Sequence, residues 1–234
     1  MIRQTCSRRQ LLASVGATGL VVSSPFASEP PAEQPLPKNP SEALARLKAG
    51  NARFAAGTTR HAHESADWRK HLAAGQTPFA TILGCSDSRV PIELVFDQGF
   101  GDLFVIRVAG NVVADDVLGS VAYAALHLRT PLFVVLGHSG CGAVTAALDE
   151  KLNKLREPEQ IEALLKLIKP ALKEIDAAQT YAAQLSSAVE ANVRWSMKQL
   201  AELPGAKASL EKHSAMLVGA VYDLATGTVR FLNP

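Results

Sequence analysis

Two short segments gather side chains able to do metal chemistry: Cys85-Ser86-Asp87-Ser88-Arg89 and His138-Ser139-Gly140-Cys141. Together they offer two thiols, one imidazole and one carboxylate. Soft sulfur, borderline nitrogen and one hard oxygen, four donors in all, suit zinc. Arg89 stands two residues beyond Asp87, and on extended backbone residues two apart face the same side. Arg89 therefore competes with the metal for Asp87, and when it wins a coordination position opens. Asp87 reads as a gate: either the fourth ligand or the partner of Arg89. In an oxidising compartment Cys85 and Cys141 could instead form a disulfide. Metal ligation is the better reading, because each thiol sits beside another ligand type at short spacing.

The elements that must hold these residues are legible around them. Apolar runs read as strands over Phe79–Gly84, Leu103–Val108 and Leu132–Gly137, and the two ligand segments follow the first and the last. Between the last two strands, Val117, Val121, Ala124 and Leu128 fall on one helical face. Strand, helix, strand at this spacing implies parallel pairing. The predicted fold class is α/β, a central mostly parallel β-sheet flanked by helices. In such sheets ligands gather outside the carboxyl ends of the strands. Gly137, Gly140 and Gly142 allow the tight turn there, and a helix starting after Cys141 favours its thiolate. Upstream, Asn39-Pro40-Ser41-Glu42 opens a helix with Leu44, Leu47 and Phe54 on one face, an N-terminal helical arm. A second helix is expected over Ala66–Ala74 and a long helical region from Pro158 to Leu203. Met216–Asp223 and Val229–Leu232 are expected to close the chain as a hairpin around Ala225-Thr226-Gly227.

The 234 residues, 47% of them hydrophobic, suffice for one domain with an ordinary core. The formal charge of +2 is unevenly placed. Residues 1–27 hold Arg3, Arg8 and Arg9 and no acid, and without them the balance is 21 basic to 22 acidic side chains. No basic surface argues for nucleic acid and no polybasic tract for a membrane. Ser7-Arg8-Arg9-Gln10-Leu11-Leu12, followed by an apolar run from Ala13 to Val22, has the arrangement of a twin-arginine export signal. That run is too short to span a bilayer. Cys6 lies in the signal without a lipoprotein context. The expected organisation is an export signal over 1–27, a linker over 28–38 and a zinc domain over 39–234. The mature protein is then periplasmic and without a membrane anchor.

At these residues the sequence resembles the β-class carbonic anhydrases, over most of the chain from about Asn39 to Leu232. The stretch from Cys85 to Asn111 resembles the family's longest motif and His138-Ser139-Gly140-Cys141-Gly142 its second. Val221-Tyr222-Asp223 with Thr226-Gly227 resembles the C-terminal strand pair. The resemblance implies zinc held by Cys85, His138 and Cys141, with Asp87 either on the metal or on Arg89. It implies that Gln76 contacts substrate, that Phe104, Ala109 and Tyr123 line the cleft, and that the chain forms a homodimer or higher homo-oligomer with clefts at the interface. Val108 and Ala122 depart from the family's commoner asparagine and glutamate, which bears on cleft polarity and not on the metal set. Ile82 stands where a subgroup carries the tryptophan of an inhibitory bicarbonate site, which argues against such a site here.

The implied reaction is the reversible hydration of carbon dioxide to bicarbonate and a proton, by a zinc-held hydroxide gated through the Asp87–Arg89 pair. With both thiols anionic, zinc acidifies water less than a three-histidine site, whose bound water has a pKa of about 7. Activity is therefore expected to rise into alkaline pH. Two other readings keep the zinc set: hydrolysis of carbon disulfide or carbonyl sulfide on the same fold, and a non-catalytic zinc-binding module. Arg107 reads as a structural ion-pair partner, for instance of an acid across the dimer. His61, His63, His71, His127 and His213 show no metal spacing.

Overall fold

Five strands form one sheet in the order β2-β1-β3-β4-β5. They are β1 (Ala80–Gly84), β2 (Leu103–Arg107), β3 (Leu132–His138), β4 (Met216–Tyr222) and β5 (Val229–Phe231). The computed structural model describes residues 35–233 except 154, 204, 205, 207–209 and 211–213. The export signal read over 1–27, the first part of the linker and His213 lie outside the described residues.

All five residues of β1 are buried, which explains its mostly apolar sequence, and the hydroxyl of its one polar residue, Thr81, pairs with that of Thr130: a central parallel strand is covered on both faces. It pairs in parallel with β2 and with β3, and Gly84 stands opposite both Arg107 and Leu136. β4 continues the parallel sheet beside β3, aligning Tyr222 with His138, and only β5 runs antiparallel. The expected closing hairpin is thus β4–β5. At its turn the Asp223 carboxylate accepts hydrogen bonds from the amides of Ala225 and Thr226 and from the Thr226 hydroxyl. This register brings the residues after β1 and the end of β3 to one edge of the sheet.

Helix α1 (Pro40–Ala55) begins as the sequence predicts: the Asn39 side chain accepts the Glu42 amide at 2.9 Å, and Glu42 in turn accepts the Lys38 amide. Its Ala43 and Leu47 enter a core with Ile82, Val134 and Leu136. At Gly50 α1 lies directly against the backbone after α3, for a Cβ there would lie 1.8 Å from the Phe96 carbonyl oxygen. One residue on, buried Asn51 donates to the carbonyls of Val95 and Gly227 and accepts the Val229 amide. Helix α2 (Ala66–Leu72) is short, and α3 (Ile92–Val95) is a single turn.

Helix α4 (Asp115–Tyr123) widens into a π turn over Ala124–Leu128 that ends on left-handed Arg129. The helical region from Pro158 onward is not continuous. Helix α5 (Gly142–Asn153) leads to α6 (Glu159–Ile168), a 3-10 turn follows over Lys169–Leu172, and α7 (Tyr181–Ala201) restarts under a Thr180 cap. Pro170 supplies the reason, since its ring removes a donor and clashes with the carbonyl four residues back. The second core cluster, with Val144, Leu148, Leu165, Ile168 and Val189, encloses Cys85 and Cys141. No helix among the described residues is long and apolar enough to cross a membrane.

Candidate metal centre

Cys85 is the first residue after β1, His138 the last of β3, and Cys141 the residue before α5. Parallel pairing places all three at the carboxyl edge of the sheet, and their ligand atoms lie within 4.8 Å of one another. The two sulfurs are 3.9 Å apart. Two sulfurs about 2.3 Å from a tetrahedral zinc would be separated by about 3.8 Å. The His138 ring is fully buried; its Nδ1 donates to the Ser139 carbonyl at 3.0 Å, while Nε2 is buried with no hydrogen-bond partner. A buried nitrogen left unpaired is costly. Pointing at two sulfurs, with its tautomer fixed by a carbonyl, it has the form of a metal-ligating imidazole. The donor set and this orphaned atom fit zinc.

Hydrogen bonding from the Cys141 thiol, with the amides of Gly110 and Asp87, pulls the Cys85 thiol well below its ordinary range. The Gly110 amide is 3.3 Å from that sulfur. Cys141 moves the other way, pushed up by the same hydrogen bond and by burial. The amides of Ala143 and Val144 at the start of α5 do favour its thiolate, as the sequence suggested, but without metal the charged neighbour outweighs them.

Asp87 lies on Arg89. Arg89 donates Nε to Oδ1 at 2.9 Å and Nη2 to Oδ2 at 2.7 Å, and its amide donates to Oδ1 at 2.9 Å. These side-chain bonds, more than any other cause, hold the Asp87 carboxyl well below the usual carboxylate range. Oδ2 is also 3.8 Å from His138 Nε2, so the carboxylate borders the ligand cluster. Within one subunit, among the described residues, Arg107 meets backbone carbonyls rather than an acid. Its Nε donates to the Cys85 carbonyl at 3.0 Å and its Nη2 to the Asp87 carbonyl at 2.7 Å. Only the parallel register that aligns Arg107 with Gly84 could have revealed this, because carbonyl acceptors leave no mark in a sequence.

The residues assigned to the cleft separate. Ala109 is in the 3-10 turn (Ala109–Asn111) whose Gly110 amide meets Cys85. Phe104 pairs with Thr81, four residues before Cys85 and hence roughly 13 Å along the strand. Exposed Tyr123 packs on Phe104 with ring centroids 6.2 Å apart, and on His127 at 5.0 Å. Gln76 is exposed in the loop before β1, at the amino edge of the sheet. Within one subunit, then, Gln76, Phe104 and Tyr123 stand away from the metal ligands.

A mostly parallel α/β sheet with a Cys–His–Cys centre at the ends of two adjacent strands defines the class of protein, an α/β metalloprotein of zinc type. A family model described as carbonic anhydrase matches residues 80–229. Carbonic anhydrase 2 of Mycobacterium tuberculosis is 57% identical over 110 residues, which cover 47% of this chain and 53% of that protein. The chain thus spans about half the length of this mycobacterial relative. A carbonic anhydrase of Emericella nidulans is 34% identical over 168 residues, 69% of this chain and 72% of that protein. Among solved structures, the β-carbonic anhydrase CcaA superposes with a TM-score of 0.66 at 28% identity, over 82% of this chain and 92% of that one. The chain belongs to the β-class carbonic anhydrase family.

Proposed function

We propose that this protein catalyses the reversible hydration of carbon dioxide to bicarbonate and a proton, with zinc held by Cys85, His138 and Cys141. The observation that carries the reading is the unpaired Nε2 of His138 facing two thiols, with the Arg89-bound carboxylate of Asp87 beside it. Zinc bound there supplies the Lewis acidity that activates water. The chain's own residues do the rest. Arg89 orients both oxygens of Asp87 by a two-point contact, which leaves the Oδ2 edge next to the ligand cluster as a hydrogen-bond acceptor. An acceptor with so depressed a pKa holds a proton only in passing, which suits a group that orients and relays.

Assembly as a homodimer or larger homo-oligomer belongs to the same proposal. β2 is an edge strand, and its Leu103, Phe104, Val105 and Ile106 are only half-buried. An unpaired apolar edge of this kind is ordinarily covered. A second copy lying along it supports the reading in which Gln76, Phe104 and Tyr123 line the partner's cleft. Two solved carbonic anhydrases of Sordaria macrospora, one of them 25% identical to this chain with a TM-score of 0.67, are described as tetrameric. The proposal also includes export by the twin-arginine signal over 1–27, a linker over 28–38, a zinc domain over 39–234 and a periplasmic site of action. Loading the metal before transport of a folded protein suits that route.

The test is stopped-flow carbon dioxide hydration by zinc-loaded protein above pH 8. Hydration well above background is expected. Its absence would make the chain a zinc-binding module, and faster release of sulfide from carbon disulfide than hydration of carbon dioxide would reassign the substrate.

A further inference from the structure

Arg107 ends β2 opposite Gly84, the residue before Cys85. Its one guanidinium reaches two carbonyls, those of Cys85 and Asp87, at 3.0 and 2.7 Å. These residues flank Ser86, and they are the first metal ligand and the gate. These carbonyls lie in the Cys85–Ser86 and Asp87–Ser88 peptide planes, so holding both anchors the segment at each end and restrains where the Cys85 and Asp87 side chains stand relative to each other. A planar fork spans two acceptors at once, which a lysine ammonium does poorly. The Asp87 carbonyl is further held by the Val90 amide at 3.0 Å. Asp87 is thus gripped from two sides: Arg107 on its backbone and Arg89 on its carboxylate. With Oδ2 already 3.8 Å from His138 Nε2, a small rotation of this tripeptide would carry the carboxylate into the ligand cluster.

We propose that Arg107 is a positioning residue that holds the Cys85–Asp87 tripeptide so that the Asp87 carboxylate faces Arg89 and stays off the metal. The inference rests on the carbonic anhydrase reading for its kinetic part alone.

The experiment uses the full chain loaded with one cobalt(II) per subunit, at pH 8, with Arg107→Ala made both in the wild-type background and in an Asp87→Ala background. Arg107→Ala is expected to change the visible cobalt spectrum in the wild-type background and to leave it unchanged where Asp87 is already absent. An equal change in both backgrounds, or none in either, overturns the proposal. With zinc, Arg107→Ala is expected to lower kcat about 10- to 100-fold, the range seen when an outer-shell partner of a metal site is lost, with KM within about twofold of wild type. Arg107→Lys keeps the charge without the fork and is expected to recover little of the loss; full recovery overturns the two-point hold. If Arg107→Ala fails to retain one cobalt per chain, Arg107→Gln takes its place under the same criteria. A wild-type protein without hydration activity would refute the carbonic anhydrase reading while leaving the cobalt comparison decisive.

Discussion

Asp87 and Arg89 meet edge to edge, with both carboxylate oxygens accepting from one guanidinium at 2.9 and 2.7 Å. The arginine side chain is exposed and the aspartate side chain is largely enclosed beside the ligand cluster. The carboxylate is thus paired with a cation while it borders the ligand cluster, and the Cys–His–Cys set offers three protein donors. Three ligands with a fourth position open is the catalytic arrangement of zinc, whereas four is the structural one.

Replacing Asp87 with asparagine keeps the size of the side chain and removes its charge and half its accepting capacity. The expected outcome is a kcat for carbon dioxide hydration lower by about 100-fold or more, the usual scale for a lost acid–base or orienting group. Zinc content should remain one per chain, because the three ligand atoms are untouched. Stopped-flow kinetics beside metal analysis separates these effects.

His138→Ala removes the one ligand whose Nε2 has nothing else to bind. Zinc affinity should fall by more than about 100-fold, beyond the cost of losing an outer-shell partner, as read by competition with a chromophoric chelator. Zinc in 100-fold excess over its dissociation constant should stabilise the wild type by about 2.7 kcal/mol. The variant should gain no more than about 0.4 kcal/mol at that concentration, so its melting temperature should respond far less.

Acid should loosen the attachment of β5 to α7. Glu190 accepts from Arg230 at 2.9 Å and from Arg194 at 3.0 Å, and the Arg230 bond is the larger cause of its lowered pKa. A carboxyl whose folded pKa is depressed adds stability above its unfolded pKa of about 4.3, and that stability fades as pH falls through the folded value. The melting-temperature gap between wild type and Glu190→Gln should thus be full at pH 6 to 7 and close below about pH 4. For so accessible a group the gap should be small, under about 1 kcal/mol, and smaller still in high salt.

Sequence pattern reached as far as local chemistry goes. The apolar runs of β1 and β3 announced buried parallel strands, and the ligand types at their ends announced zinc. What it left open was decided by contacts with no sequence signature. The pairing of Asp87 with Arg89 rests on two side-chain hydrogen bonds whose geometry no sequence shows. Charge is visible in a sequence and makes Arg107 read as a partner for an acid, whereas the carbonyls it binds within the chain are common to every residue. The break at Pro170 was available to the eye but was overridden by the helical composition around it. The separation of Gln76 and Phe104 from the ligands follows from strand direction, since they lie before or near the amino ends of strands whose other ends lead to the ligands, and Tyr123 at the end of α4 packs on Phe104.

Gly50→Ala is the sharpest test of how α1 docks. The added methyl would sit 1.8 Å from the Phe96 carbonyl oxygen, a backbone atom that cannot step aside as a flexible side chain could. The helix must shift, which disturbs the neighbouring Asn51 bonds to Val95, Gly227 and Val229 as well. A loss of about 3 kcal/mol is expected, at the upper end of ordinary overpacking. The midpoint and slope of urea unfolding measure it.

Mixed dimers can decide where Gln76 works. If the cleft is built across a two-fold interface, Gln76 serves the partner's metal centre and Asp87 its own. Homodimers of Asp87→Asn have two damaged centres, and homodimers of Gln76→Ala have two centres without their glutamine. A mixed dimer restores one of its two sites: the intact Asp87 of the Gln76→Ala subunit meets the intact Gln76 of the other. Random pairing at equal amounts makes half of all dimers mixed, so the mixture should regain about a quarter of wild-type activity. Had Gln76 acted within its own subunit, every centre in the mixture would carry a lesion and no recovery would appear. Co-expression with two affinity tags, followed by tandem purification of the mixed species, raises the expected recovery to about half the wild-type rate per dimer.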